Sequence, residues 1–439
     1  MKILIVGSGA RELAIARALL RSPQHPQLYC YISSRHPELI ALSSAFCLGD
    51  LCDIDAVLEA AKNWQVDLAI IGPEAPLEKG LADLLWTHDI PTIGPRQSLA
   101  RIETSKAFAR YLMQKYDIPG LPRFRVFDAL TNVLLYLKDF PENGYVIKAD
   151  GLAGGKGVKV AGLHFEGVDE GYQFCESIIE QEQSFLIEEK CLGEEFSLLG
   201  FCDGNSIYFM PPVQDYKRAW VGDEGPNTGG MGSISDADHL LPFLSENDLQ
   251  AAQAICRSVL ESLQIECGEK YHGILYGGFM VTANGVRVIE FNARFGDPEA
   301  MNVLALLQTD FVAICQAMVK GELSEGMIAF AHQATVCKYA VPEGYPDSPV
   351  SGQEMYVRQA NHDRVYLAGV EALFDKLYLT GSRTVAVLGV ADTLSEAEHI
   401  AEAEINCIQG PLFHREDIGT AEMIQARVEK MLYLRRLFQ

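Results

Sequence analysis

Over residues 1–100, short apolar runs alternate with segments of helical period. Ile3–Val6 is a continuous apolar run with the length of a buried strand. From about Arg11 to Arg21, Leu13, Ala16, Leu19 and Leu20 fall roughly on one helical face. Leu28–Ile32 predicts a second strand, and Asp53 can cap a helix running to Asn63. Asp67–Ile71 predicts a third strand, ending in Gly72-Pro73-Glu74-Ala75-Pro76. Glu78–His88 has helical period, and Pro91–Ile93 is a short strand. Such alternation builds a parallel sheet with crossover helices, and ligands of these sheets sit beyond the carboxyl ends of the strands. Gly7-Ser8-Gly9 and Gly72–Pro76 stand at two such ends.

From about residue 101 the rhythm changes. A helix carries Ser105 and Lys106, Tyr145–Lys148 predicts a strand, Asp150–Gly157 a glycine-rich loop, and Val158–Ala161 the returning strand. Phe185–Glu188 predicts another strand. Asp203-Gly204-Asn205 separates Phe196–Phe201 from Ile207–Met210, and Asn284-Gly285 separates Gly278–Thr282 from Val286–Asn292; both are hairpin signals. Beyond about 331, strands Thr335–Ala340 and Thr384–Val390 with a helix Ser395–Ile405 predict a small C-terminal α+β unit.

Charge narrows the partners. The 439 residues carry 36 Lys and Arg against 59 Asp and Glu, a net −23. This disfavours non-specific binding to nucleic acid or to an anionic membrane. No apolar run approaches the roughly 18–20 residues of a membrane span. Eleven cysteines without a CxxC pair predict reduced thiols in a cytoplasmic protein. Ten histidines form no HxxH or HxxxH pattern, which disfavours zinc.

Four motifs can carry chemistry. Gly7-Ser8-Gly9-Ala10-Arg11-Glu12 joins a strand to a helix, where backbone N–H groups suit an anion. The dinucleotide fingerprint needs a third glycine and an acid about 20 residues on. Glu12 replaces that glycine and Tyr31-Ile32-Ser33-Ser34 offers no acid, leaving a phosphate-binding turn or a turn made for packing. In Lys148–Gly157, Lys156 is followed by Gly157 and strands lie on both sides, which is no P-loop. It reads as a flap that lays amides over a triphosphate, with Lys148 as a point charge, or as a plain flexible hairpin. Glu290 and Asn292, two apart on a strand, share a face and can offer two oxygens to one magnesium ion. Gln214–Gly232 mixes charges with small residues and predicts a substrate loop that buries little and orders poorly without ligand.

These motifs together resemble the ATP-grasp superfamily and, within it, the phosphoribosylamine–glycine ligase family. The resemblance rests on Gly72–Leu77, Ser105–Phe108, Val146–Gly157, Ile187–Glu195, Gln214–Gly232, Gly273–Gly277, Glu290–Glu299 and Arg415–Gly419, nearly the whole chain. It implies an α/β and α+β multidomain fold: a Rossmann-like domain over 1–102, an ATP-grasp domain over 103–330 with a lid at about 122–190, and a C-terminal α+β domain over 331–439. It implies ATP with magnesium or manganese as cofactors, glycine and 5-phosphoribosylamine as further substrates, and a monomer. Lys106 and Lys148 would hold phosphates, with Gly154, Gly155, Lys156 and Gly157 as the flap. Glu188, Glu189, Lys190 and Leu192 would flank adenine, with Glu195 on the ribose. Glu290 and Asn292 would bind the metal. Asp215, Lys217 and Arg294 would line the place where glycine is activated, and Gly9, Arg11, Glu12, Glu74, Pro76 and Asp297 the acceptor side.

The implied reaction transfers the γ-phosphoryl group to glycine and lets the amine attack the acyl phosphate, so no enzyme nucleophile is needed. The chain departs from the family at Ala10 and Leu13, where a glycine and a histidine are usual, and at Tyr216, another usual histidine. These departures motivate one alternative, a diverged ligase for another amino acid or amine. A second alternative, from another class, is a non-catalytic nucleotide-binding regulator. The cations of the motifs, Arg11, Lys106, Lys148, Lys156, Lys217, Arg218 and Arg294, predict a locally positive cleft in an acidic surface.

Overall fold

The computed structural model describes residues 1–152, 157–358, 360–374 and 376–437. Five parallel strands form the N-terminal sheet, in the order Ala45–Leu48, Gln27–Ile32, Lys2–Val6, Leu68–Ile71, Thr92–Ile93. Ile3, Leu4, Ile5 and Val6 are wholly buried, as a central parallel strand covered on both faces requires. The edge strand Ala45–Leu48 and the helix Pro37–Leu42 before it escape the sequence pattern. Phe46 and Leu48 are exposed on that edge, so its apolar residues do not mark a core face. The helix expected over Glu78–His88 is two short helices, Glu74–Glu78 and Leu81–Thr87, split at Lys79-Gly80. Strand order reverses between Lys2–Val6 and Leu68–Ile71, which opens a crevice at their carboxyl ends.

The single helix expected around Ser105 is also two, Gln97–Thr104 and Lys106–Lys115. Ser105 is extended between them, and its Oγ accepts the Phe108 N–H at 3.1 Å as an N-cap. The second helix therefore begins at Lys106, which places that side chain at a helix start rather than mid-helix.

Two antiparallel sheets follow. One has the order Ile207–Phe209, Gly193–Asp203, His272–Thr282, Gly285–Asn292. The other has the order Phe124–Phe127, Phe185–Glu189, Tyr145–Ala149, Val158–Val160. The second is closed by helices Val133–Lys138 and Gly167–Ile179 around its own core of Phe127, Tyr145, Ile147 and Phe185. This small core is separate from the main one.

The C-terminal sheet is not confined to the C-terminal unit. Its order is Gln214–Asp215, Gly232–Ser235, Ala334–Pro342, Val385–Ala391, Val365–Leu367, so the two ends of the expected substrate loop are its first two strands. The expectation of a poorly ordered, little-buried loop is therefore corrected. Tyr216 and Met231 are buried, and Arg415, itself fully buried, pins the loop through Asp223 at 2.8 Å. The last helix, Ala421–Leu437, runs back over the central sheet, where Lys430 Nζ donates to the Gly193 carbonyl at 2.8 Å. No described helix is long and apolar enough to cross a membrane.

Candidate active site

At the N-terminal crevice the turn after Lys2–Val6 is held by its own acid. Gly7 has φ +127°, a conformation that L side chains rarely adopt, and a Cβ there would lie 2.7 Å from the Glu12 side chain. Glu12 is buried and accepts the Gly9 N–H at 2.6 Å and the Arg11 Nε–H at 2.7 Å. The amide that the turn would offer to an anion is thus taken by Glu12. Arg11 and Glu74 line the main cavity, whereas Gly9, Glu12 and Pro76 do not.

That cavity, about 850 Å³, lies between the N-terminal sheet, the small four-stranded sheet, the central sheet and the C-terminal unit. It gathers Lys106, Lys148, Gly157, Glu188, Glu189, Lys190, Leu192, Glu195, Asp215, Lys217, Glu290, Asn292, Arg294 and Asp297. Gly154, Gly155 and Lys156, the tip of the expected flap, lie outside the described residues. Its described wall carries eleven Lys and Arg and eleven Asp and Glu. The expected locally positive cleft is therefore corrected to one of balanced charge. Against a net −23 that balance still favours a small anion over the rest of the surface.

A bulge sets the centre. The register of the central hairpin shifts where Gly278 faces Glu290 and Phe279 faces Val288, leaving Ile289 without a partner in the ladder. The Ile289 carbonyl accepts from Lys148 Nζ at 2.9 Å and from Arg110 Nη2 at 2.7 Å. Both cations also grip Glu188, Arg110 Nε at 2.6 Å and Lys148 Nζ at 2.7 Å. Burial pushes the Glu188 carboxyl up, but Arg110 and Lys148 outweigh it and hold the pKa at about 2. Glu188 is thereby committed to fixing Lys148. On the adjoining strand end Glu189 accepts the Arg123 N–H at 3.0 Å, and Lys190 Nζ donates to the Ala161 carbonyl at 3.0 Å. The Leu192 side chain is exposed at the rim.

Beyond the bulge the next residues turn inward. Burial disfavours the ionised Glu290 carboxyl, but Lys217, Lys148, Lys106 and Arg294 prevail and hold its pKa below the ordinary value. Those four act through space. A half-buried carboxylate with no hydrogen-bond partner among the described residues, two residues from Asn292, fits a hard divalent cation that keeps waters and takes phosphate oxygens. No group of three or more His, Cys, Asp and Glu able to cage a metal exists among the described residues. Lys106 Nζ donates to the Gly151 carbonyl at 2.8 Å; burial lowers its pKa, with Lys148 adding to the effect.

Arg294 closes the side toward the N-terminal crevice. Its Nη2 lies 2.9 Å from Glu103 and its Nε 3.3 Å from Glu74. Glu103 is buried and also accepts the Ala293 N–H at 2.6 Å; burial raises its pKa to about 7, with Arg294 opposing. On the far side Lys217 pairs with Glu195 at 2.9 Å. Asp215 Oδ1 is buried with no hydrogen-bond partner among the described residues. Burial and the nearby Glu299 push the Asp215 pKa well up. Asp297 Oδ1 accepts the Tyr339 hydroxyl at 2.7 Å.

Sequence reasoning missed Arg110, Glu103, Glu299 and Arg383, all of which line the cavity. Arg110 was open to detection, because it stands one helical turn after Lys106 and so shares its face. Glu103 and Arg383 carried no signal: their partners in the site, Ala293 and Gly229, are 190 and 154 residues away.

Comparisons with known proteins cover the whole arrangement. The family model of the phosphoribosylglycinamide synthetase N domain matches residues 1–103, that of its ATP-grasp (A) domain residues 104–300, and that of its C domain residues 335–421. A phosphoribosylamine–glycine ligase of Methanocella arvoryzae is 45% identical over 431 residues, 98% of this chain and 99% of that protein. One of Methanocaldococcus jannaschii is 46% identical over 446 residues, 99% and 100% of the two. The crystal structure of the phosphoribosylamine–glycine ligase from Thermotoga maritima superposes with a TM-score of 0.81 at 28% identity, covering 95% of this chain and 100% of that one. A biotin carboxylase from Campylobacter jejuni shares the fold, with a TM-score of 0.71 at 16% identity over 98% of this chain and 95% of that one.

Proposed function

The chain belongs to the phosphoribosylglycinamide synthetase family, and on that premise we propose that it joins glycine to 5-phosphoribosylamine at the expense of ATP. The products are glycinamide ribonucleotide, ADP and phosphate, through a glycyl phosphate intermediate. The observation that carries this is Glu290, half-buried beside a bulge in a cavity it shares with Lys106, Lys148, Lys217 and Arg294, whose charges all act on it. Such a centre suits the transfer of a highly charged phosphoryl group between two bound molecules.

A carboxylate is a poor acyl donor, and making it an acyl phosphate requires stabilising charge on the moving group. Lys148, held by Glu188 and the Ile289 carbonyl, and Lys106, at the start of its helix, present ammonium groups from two sides. Each well-placed electrostatic group of this kind is worth about 2.7–4 kcal/mol of barrier. Glu290 and Asn292 would hold magnesium or manganese, which when bound neutralises phosphate charge. Arg294, anchored by Glu103 and Glu74, orients a carboxylate toward that centre. The unpartnered Asp215 Oδ1 can receive the ammonium of glycine, which relieves the burial of that carboxyl. The small four-stranded sheet would close over ATP as the lid and keep water from the acyl phosphate.

The departures at Ala10 and Leu13 fall in the core rather than on the cavity wall, which supports phosphoribosylamine over another amine. Both are fully buried in the N-terminal core, and neither lines the cavity. Tyr216 does line it, beneath Arg427 and Arg415. Eleven free cysteines support a place in the reducing cytoplasm. ADP release measured with a panel of amino acids and amines tests the reaction, and complementation of a purine auxotroph lacking this step tests it in the cell. Release that ignores phosphoribosylamine and answers to another amine refutes the reading.

A further inference from the structure

We propose that Arg383, from the C-terminal unit, is a positioning residue for activation of the amino acid: it holds Gly229-Gly230 and Asp297 in the places that set Asp215 and Lys217. The inference rests on the ligase reading above and adds a residue that never touches the reacting atoms.

Arg383 lies just before strand Val385–Ala391, far in sequence from the motifs of the site. Its guanidinium is largely buried, 16% exposed, and stacks 4.6 Å above the Tyr339 ring. Nη1 donates to the Gly229 carbonyl at 2.6 Å, to the Gly230 carbonyl at 3.2 Å and to the Asp297 carbonyl at 2.9 Å. The same nitrogen is 3.2 Å from Asp297 Oδ1, which also accepts from Tyr339. One planar cation therefore ties two loops together: Gly225–Gly232 and the Arg294–Glu299 segment.

The tied segment bears directly on the catalytic side chains. Gly230 has φ +108°, and a Cβ there would lie 2.6 Å from Asp215 Oδ1 and 2.7 Å from Pro298. The Gly230 backbone is thus packed against the unpartnered carboxylate oxygen. Gly230 N–H donates to Thr228 Oγ1 at 3.0 Å, and Thr228 Oγ1 donates to the Lys217 carbonyl at 2.9 Å. A shift of Gly229-Gly230 therefore moves both Asp215 and Lys217. Lysine replaces this geometry only in part, because all the polar contacts come from one nitrogen but an ammonium lacks the flat face that lies over Tyr339.

The test uses Arg383→Met, which keeps an apolar stem over Tyr339, and Arg383→Lys, which keeps the charge. Steady-state kinetics with varied glycine, ATP binding without glycine, and hydrogen exchange of the whole protein are compared with the wild type. In Arg383→Met, kcat/KM for glycine should fall about 100-fold, the scale of a misplacement by about 1 Å. Affinity for ATP should stay within about threefold. Added guanidinium ion should recover part of the glycine-dependent rate, and Arg383→Lys should fall between Met and wild type. Amides of residues 228–231 should exchange at least about tenfold faster while those of Lys2–Val6 are unchanged.

Unchanged glycine kinetics, equal losses for glycine and ATP, or unchanged exchange at residues 228–231 each overturn the proposal. If Arg383→Met does not fold, the same comparisons on Arg383→Lys decide. A wild-type protein that releases no ADP with glycine and phosphoribosylamine refutes the ligase reading, while the exchange comparison still judges the placement of the loop.

Discussion

Glu188→Gln probes the ion cluster at the centre of the cleft. Glu188 sits between Arg110 and Lys148, the two carboxylate contacts are 2.6 and 2.7 Å, and the three side chains are at most 8% exposed. Glutamine keeps the volume and one acceptor but leaves two buried cations facing each other. Two routes give the size of the effect. Against burial, Arg110 and Lys148 draw the carboxyl from its ordinary 4.5 to about 2, roughly 3 kcal/mol in favour of the ionised folded form. Removing one partner of a buried pair costs about 3–5 kcal/mol.

The cost falls on a particular joint. Arg110 belongs to the helix Lys106–Lys115, whereas Glu188 and Lys148 belong to the small sheet with its own core. Hydrogen exchange followed by peptide mass spectrometry should therefore show strands Phe185–Glu189 and Tyr145–Ala149 opening roughly 100-fold more readily, with Lys2–Val6 unaffected. Because the folded carboxyl has a depressed pKa, its contribution is complete above about pH 4.5 and disappears only as pH falls through about 2. The difference between wild type and variant should then be the same at pH 6 and pH 8. A change below tenfold, a uniform change over the whole protein, or a difference that varies between pH 6 and 8 would refute the argument.

Four further outcomes follow from the site. Lys148→Ala and Glu290→Ala should each lower turnover at least about 100-fold in an ADP-release assay, as for one lost electrostatic stabiliser. Removing divalent cations with a chelator should abolish ADP release but leave the circular dichroism spectrum unchanged, since the folded chain has no described protein cage for a metal. Glu103, raised by burial to about 7, holds its proton more tightly folded than unfolded. Its contribution to stability is therefore full below about pH 4.5 and is lost as pH rises to about 7. The melting temperature of Glu103→Gln relative to wild type should accordingly rise between pH 5 and 7.5. Leu13→Ala should cost about 2–5 kcal/mol in denaturant unfolding, as a fully buried leucine does, without changing KM for phosphoribosylamine.

Much of the architecture was legible along the chain. The period-switching of the first hundred residues identified a parallel sheet because buried parallel strands must be continuously apolar and crossover helices must be amphipathic. Lys2–Val6, Gln27–Ile32 and Leu68–Ile71 appear where the pattern put them. The turn signals at Gly204-Asn205 and Asn284-Gly285 identified both hairpins, because a tight turn is a local choice of backbone conformation. Lys148, Glu290, Asn292 and Arg294 were marked by motifs whose members lie within a few residues of one another. Their joint placement in one cavity follows from the strands that carry them.

What the chain alone could not determine involves partners separated by long stretches of sequence. The bulge at Ile289 depends on the register of His272–Thr282 against Gly285–Asn292, and it frees the carbonyl that fixes Lys148. The commitment of Glu188 to Arg110, of Glu103 to Arg294, and of Arg383 to Gly229 and Asp297 arises only when separate elements pack. The same holds for Glu12, whose acid turned inward to cap its own turn, and for Leu13, which belongs to a core. Local preference and period are properties of neighbours along the chain. Charge balance in a cleft and the direction a side chain faces depend on which distant residues fold against it, and that is settled by tertiary packing.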